Sequence, residues 1–189
     1  QEEAGRDERT HFSAPDGLDL EPIPHDRTLV EMFEAGELDA LTTARAPSSY
    51  TLGKPNIDRL FPDFRSAEKE YYKKTSIFPI MHLMGLRKDL AEAHPWLAGS
   101  LYKAFVEARD VAYQDIAKTA ALPNVLPWVN AEVKDTIDLM GQDFWRYGVE
   151  ECRHEIEALA RYSYNDGLSE KLITPEELFA ESTFELSKI

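Results

Sequence analysis

The feature that most constrains this chain is the run Thr75–Arg87, Thr-Ser-Ile-Phe-Pro-Ile-Met-His-Leu-Met-Gly-Leu-Arg, its longest apolar stretch. Lys73 and Lys74 precede it and Lys88-Asp89 follow, so it reads as a buried strand. Pro79 has no N–H to give to a ladder, which places it at the strand's entrance or on an edge. His82 falls inside the run, its imidazole either satisfied by a neighbour or facing a cavity. A histidine in such a strand is more often a hydrogen-bonded core residue than a catalyst.

The elements on either side follow from local signals. Leu18–Ile23 alternates apolar with acidic residues and reads as a short strand closed by Pro22 and Pro24. Thr28-Leu-Val-Glu31 is a capping box that opens a helix carrying Leu29, Met32 and Phe33 on one face, and Gly36 stops it. Leu38–Thr43 reads as a second strand, so strand, helix and strand make a right-handed βαβ unit. The loop 44–50 then lies at a strand's carboxyl end, where open parallel sheets bind ligands. It offers the Arg45 guanidinium beside the hydroxyls of Thr42, Thr43, Ser48 and Ser49, stiffened by Pro47. A solvated polar loop is the plain alternative for each of them.

Ser66–Lys74 reads as a short, highly charged helix. Pro95 opens a long helix whose apolar positions from Leu97 to Ala112 hold the 3.6 period to about Ala121, which is ordinary core packing. Pro123–Pro127 breaks it, and Val129–Met140 forms another helix stopped by Gly141. Asp143–Gly148 is an aromatic loop before a helix that runs to about Asn165 and is closed by Gly167. Arg153-His154-Glu155 on that helix reads as a solvated face. Thr174-Pro-Glu-Glu177 opens a last short helix to Ala180.

Three strands do not close a sheet, and Gln1 with the acidic stretch after it looks like a cut through a surface loop, so an N-terminal portion is expected to be missing. With 189 residues, 43% of them hydrophobic, the chain can bury a substantial core. A net charge of −14 argues against nucleic acid or anionic lipid as a general partner, while a pocket with one arginine can still hold a small anion. The single cysteine, Cys152, excludes an internal disulfide, and the histidines lack metal-ligand spacing, so no metal site is expected. No run is long enough to span a membrane.

Several segments in this order carry a resemblance. They are Gly36-Glu-Leu-Asp-Ala-Leu41, Arg59-Leu-Phe-Pro-Asp-Phe64, Glu70-Tyr-Tyr, Thr75–His82, His94-Pro-Trp, Leu101-Tyr-Lys-Ala-Phe105, Gly141–Gly148, Tyr162-Ser, Gly167-Leu168 and Pro175–Phe179. Together they resemble the 4,5-dihydroxyphthalate decarboxylase family from about residue 18 onwards. The resemblance implies an α/β, two-lobed type II periplasmic-binding-protein-like fold, here an incomplete, helix-rich C-terminal portion. It implies that residues 1–75 complete the second lobe and that 76–189 return to the first and supply the C-terminal helices. Cys152 stands where the family's pattern has an asparagine.

The activity implied is decarboxylation of a hydroxylated aromatic acid without a cofactor, the partner being a small aromatic carboxylate. A homo-oligomer is admitted. Such chemistry needs an acid at the ring carbon that loses its carboxylate, and a cation for a spectator carboxylate. His82 is the expected catalytic residue, arriving at an inter-lobe cleft. Arg45 with Thr43 and Ser48 is expected to bind the carboxylate, and Phe78 to stack on the ring. The rival reading is a non-catalytic small-carboxylate binding protein of the transporter solute-binding type. A cytoplasmic location goes with the enzyme; a secretory signal in the missing portion would make the protein periplasmic and favour capture.

Overall fold

The computed structural model describes residues 17–120, 124–184 and 186. The acidic opening at residues 1–16 and part of the break at 121–127 lie outside the described residues. The chain divides into two compact units, Gln1–Ala67 and Glu68–Ile189.

The first unit is built around two short helices in contact, α1 (Leu29–Glu34) and α2 (Ser48–Thr51). The expected capping box is present on α1. Glu31 N–H donates to the Thr28 hydroxyl at 3.1 Å, and Thr28 N–H to the Glu31 carboxylate at 2.9 Å. Two of the four amides left over at a helix start are thereby satisfied. Gly36 takes φ +75° just past the helix, a conformation that a side chain would strain. Arg27 grips Glu37 with two parallel hydrogen bonds of 2.8 Å, clasping the ends of the α1 turn. Val30, Thr28 and Ser49 are the buried residues here.

The second unit is helical. α3 (Phe64–Thr75) leads into it, followed by α4 (Lys88–Ala93), α5 (Leu97–Ile116), α6 (Val129–Met140), α7 (Arg153–Asn165), α8 (Pro175–Leu178) and a 3-10 turn at Glu181–Thr183. α5 packs against α4, α6 and the 3-10 turn, and α7 packs against α8. Among the described residues Ile77, Val149, Ile156, Ala158, Ala160 and Pro175 are its buried apolar residues. That core is thin, since no residue of α5 or α6 is buried and Met81, Leu83, Met84, Trp96 and Trp128 are each more than half exposed.

The α/β two-lobed periplasmic-binding-protein-like fold is not what the chain forms. Among the described residues there is no strand and no sheet. Leu18–Ile23 and Leu38–Thr43, the expected flanks of a βαβ unit, are irregular. An alternating pattern makes a strand only where a neighbouring chain segment accepts and donates its hydrogen bonds, and among the described residues no ladder forms beside either segment. The expected buried strand 75–87 is corrected as well. α3 continues through Thr75, and Ser76 closes it at φ +56° with its N–H on the Tyr72 carbonyl at 2.7 Å. From there 77–87 runs as irregular backbone, with Ile77 buried and most of the rest exposed. Among the described residues no helix is long and apolar enough to cross a membrane.

The α7–α8 junction is held by charge. Glu176 is drawn below its ordinary value of 4.5 by the Arg153 guanidinium, which bonds it at 2.8 Å, and Glu177 likewise by Lys171. Glu177 also accepts from Thr174 N–H at 2.9 Å in the second capping box. A carboxyl lowered on folding stabilises above its unfolded value and loses that contribution as pH falls through the folded one. Amide exchange in α8 should therefore quicken below about pH 4.5. Both carboxylates face solvent, so the change is modest and sensitive to salt.

Candidate functional site

The second unit carries an open hollow of about 800 Å³, a size suited to a small organic ligand. One wall is the irregular segment from Phe78 to Leu86. Opposite it stand Tyr102 and Phe105 from α5, the loop Phe144–Val149, and Cys152, Glu155 and Ile156 from the start of α7. Phe78 meets Trp145 edge to face, with ring centroids 5.5 Å apart.

The aromatic loop is fixed from behind by α5. The Tyr113 hydroxyl accepts from Trp145 N–H at 2.7 Å and donates to Asp143 at 3.2 Å. Burial pushes the Tyr113 phenol up, so it stays a donor at neutral pH. Arg109 pairs with Asp143 at 3.0 Å and lies over the Tyr113 and Tyr147 rings, at 5.4 and 5.3 Å from their centroids. The polar positions of α5, beside its expected apolar packing stripe, are what hold the loop carrying Trp145 and Arg146.

Two polar residues of the hollow were missed. Glu155 is 5% exposed, and one of its carboxylate oxygens takes a hydrogen bond from Arg146 Nη2. Its other oxygen, Oε2, is buried and has no hydrogen-bond partner among the described residues. Arg146 Nη1 donates to the Glu151 carbonyl at 3.1 Å, so the guanidinium is tied at two corners. The expected solvated face at 153–155 is thus corrected for Glu155. It sits one position before the buried Ile156 and three after the half-buried Cys152, on the inward side of α7. A carboxylate in helical register with apolar positions was the available signal. His154 also turns to the protein, with Nε2 3.0 Å from the Thr75 carbonyl. Burial pushes the Cys152 thiol up, which keeps it protonated and a poor nucleophile.

Of the expected site residues, the hollow brings together Phe78 and His82. His82 is exposed on its lining, and the imidazole makes no hydrogen bond among the described residues. It is not a satisfied core histidine. Arg45, Thr43 and Ser48 lie in the first unit. There the Thr43 hydroxyl donates to the Arg45 carbonyl at 2.8 Å and accepts from Arg45 N–H at 3.3 Å, a local turn that presents the Arg45 side chain to solvent. Ser48 opens α2, and Ser49 is wholly buried. Among the described residues no group of histidine, cysteine and carboxylate side chains is arranged to hold a metal ion.

No family model matches the chain. It is similar over 188 residues, at 38% identity, to a curated protein of Comamonas testosteroni described as 4,5-dihydroxyphthalate decarboxylase; the match takes in 100% of this chain and 57% of that protein. A Pseudomonas putida protein of the same description is 37% identical over 75 residues, 40% of this chain and 29% of that protein. The chain therefore spans little more than half the length of the longer-matching relative.

Proposed function

We propose, from the premise that this chain belongs to the 4,5-dihydroxyphthalate decarboxylase family, that it is part of a decarboxylase acting on a hydroxylated aromatic acid. What carries the reading is the hollow. It pairs an exposed imidazole with aromatic walls on the very segment, 75–82, whose sequence bears the family resemblance. In this reading the ring lies against Phe78 and Trp145. His82, as imidazolium, gives its proton to the ring carbon bearing the carboxylate. The bond to the carboxylate carbon then breaks, carbon dioxide leaves, and the electron pair returns to the ring as aromaticity is restored. A hydroxyl para to that carbon supplies the electron density for protonation, so the reaction runs without a cofactor.

Arg45, on its Thr43-braced turn beside Ser48, is assigned to a carboxylate of the substrate, because a forked guanidinium meets a carboxylate with two hydrogen bonds. The test is carbon dioxide release by the full-length protein from a panel of hydroxylated aromatic acids, with dihydroxyphthalate among them. Release from a para-hydroxylated acid and none from its unhydroxylated parent is the expected result. Binding without release from any acid of the panel would replace the enzyme with a carboxylate-capturing protein. In the same assay Arg45→Ala should weaken substrate affinity by about tenfold or more, the loss of a charge-assisted pair. An unchanged affinity would remove Arg45 from the site.

A further inference from the structure

The loop 144–147 is a wall held in place by side chains of another element. Among the described residues its backbone makes no hydrogen bond to other backbone groups. Three residues of α5 stand in for them. Tyr113 Oη accepts from Trp145 N–H at 2.7 Å, Arg109 Nη1 donates to the Trp145 carbonyl at 3.4 Å, and the Tyr102 hydroxyl donates to the Tyr147 carbonyl at 3.4 Å. Positions 102, 109 and 113 are seven and then four apart, which sets them on one stripe of the helix. The bond from Trp145 N–H is the short one. Its acceptor is itself fixed, since Tyr113 and Arg109 both meet Asp143, at 3.2 and 3.0 Å.

What lies beside the loop makes this pin matter. A second hollow of about 360 Å³ is lined by Ala108, Ala112 and Ile116 of α5, and Phe144, Trp145 and Tyr147 line both it and the larger one. The loop therefore stands between two hollows, and a side chain bordering open space lacks the dispersion contacts of a packed core. We infer that Tyr113 is a positioning residue of the site. Its hydroxyl keeps Trp145 edge-to-face with Phe78 as a fixed aromatic wall, and so selects a flat aromatic ring over a puckered ring with the same substituents. The inference deepens the decarboxylase reading and rests on it for the substrate class. Tyr113 acts on the ligand only through Trp145.

The probes are 3,4-dihydroxybenzoate and 3,4-dihydroxycyclohexanecarboxylate, which share charge and hydroxyls and differ in the ring. In calorimetric titration the full-length protein should bind the flat acid about fivefold or more tighter, the scale of an aromatic pair. Tyr113→Phe keeps the ring that packs on Phe144, with centroids 4.8 Å apart, and removes only the hydroxyl. The preference should then fall to about twofold or less, a ratio that a general loss of stability would not move. Trp145→Leu should abolish the preference, and adding Tyr113→Phe to it should change nothing further, because the two act on one path. A wild-type protein that binds both acids alike overturns the inference, and this needs no variant to fold. So does a Tyr113→Phe protein that keeps the full preference, or a pair of substitutions whose effects add. Any of these results alongside intact carbon dioxide release leaves the decarboxylase reading standing. Failure of wild type to bind either acid overturns the inference, and with no carbon dioxide released from the panel it overturns the reading as well.

Discussion

Arg146→Met is expected to lower the unfolding free energy of the second unit by about 2–3 kcal/mol. Glu155 is almost fully buried and Arg146 is its cation, with a side chain 31% exposed. Removing one partner of a buried pair leaves the other charged and unsolvated, which costs about 3–5 kcal/mol when both are deeply buried. The exposure of Arg146 lets water reach part of the pair, and the estimate is reduced for that screening. The loss should appear in urea unfolding as a lower midpoint with little change in slope. The double variant Arg146→Met, Glu155→Leu should recover most of it, because a pair of apolar residues carries no desolvation penalty. If the single variant stayed within about 0.5 kcal/mol of wild type, Glu155 would already have water or another donor.

His82→Gln is expected to lower turnover of a hydroxylated aromatic acid about a hundredfold or more while substrate affinity changes little. Glutamine keeps much of the size and polarity of the side chain but cannot deliver a proton near neutral pH. General acid–base groups typically contribute factors of about 10²–10⁴. A hundredfold loss corresponds to about 2.7 kcal/mol of barrier. The exposed setting of His82 makes the test clean, since among the described residues the ring makes no hydrogen bond whose loss could unfold the protein. Turnover preserved within tenfold would assign the proton to another group and leave His82 as wall.

The sequence was most legible where a short-range rule decides the outcome. The Thr28–Glu31 and Thr174–Glu177 boxes, the stops at Gly36, Gly141 and Gly167, and the span Val129–Met140 all stand as local chemistry requires. The boxes and stops need only residues within one turn of one another, and the helix only its own repeating period. The strands failed for the opposite reason. Whether 18–23, 38–43 or 77–87 becomes a strand depends on a partner that periodicity does not reveal, and an apolar run gives no sign of what lies beside it. Ser76 at φ +56° is a further obstacle, because nothing in a serine announces a left-handed turn.

The candidate site was legible in the same uneven way. His82 and Phe78 were found because they stand in a conspicuous apolar run, and both line the hollow. Arg146 and Glu155 are nine residues apart and join only when the aromatic loop folds back on α7, so neither marked the other in the sequence. The resemblance, by contrast, was readable from the order of its motifs, a property of the whole chain that survives errors in the elements between them.

The thin core of the second unit has a colloidal consequence. Leu83, Met84, Trp96 and Trp128 leave oily surface in contact with solvent, and mutual repulsion of molecules carrying a net charge of −14 is what opposes their sticking together. Near pH 4.8 that repulsion vanishes, and light scattering should rise there, more steeply in low salt than in high, where screening has already weakened the repulsion.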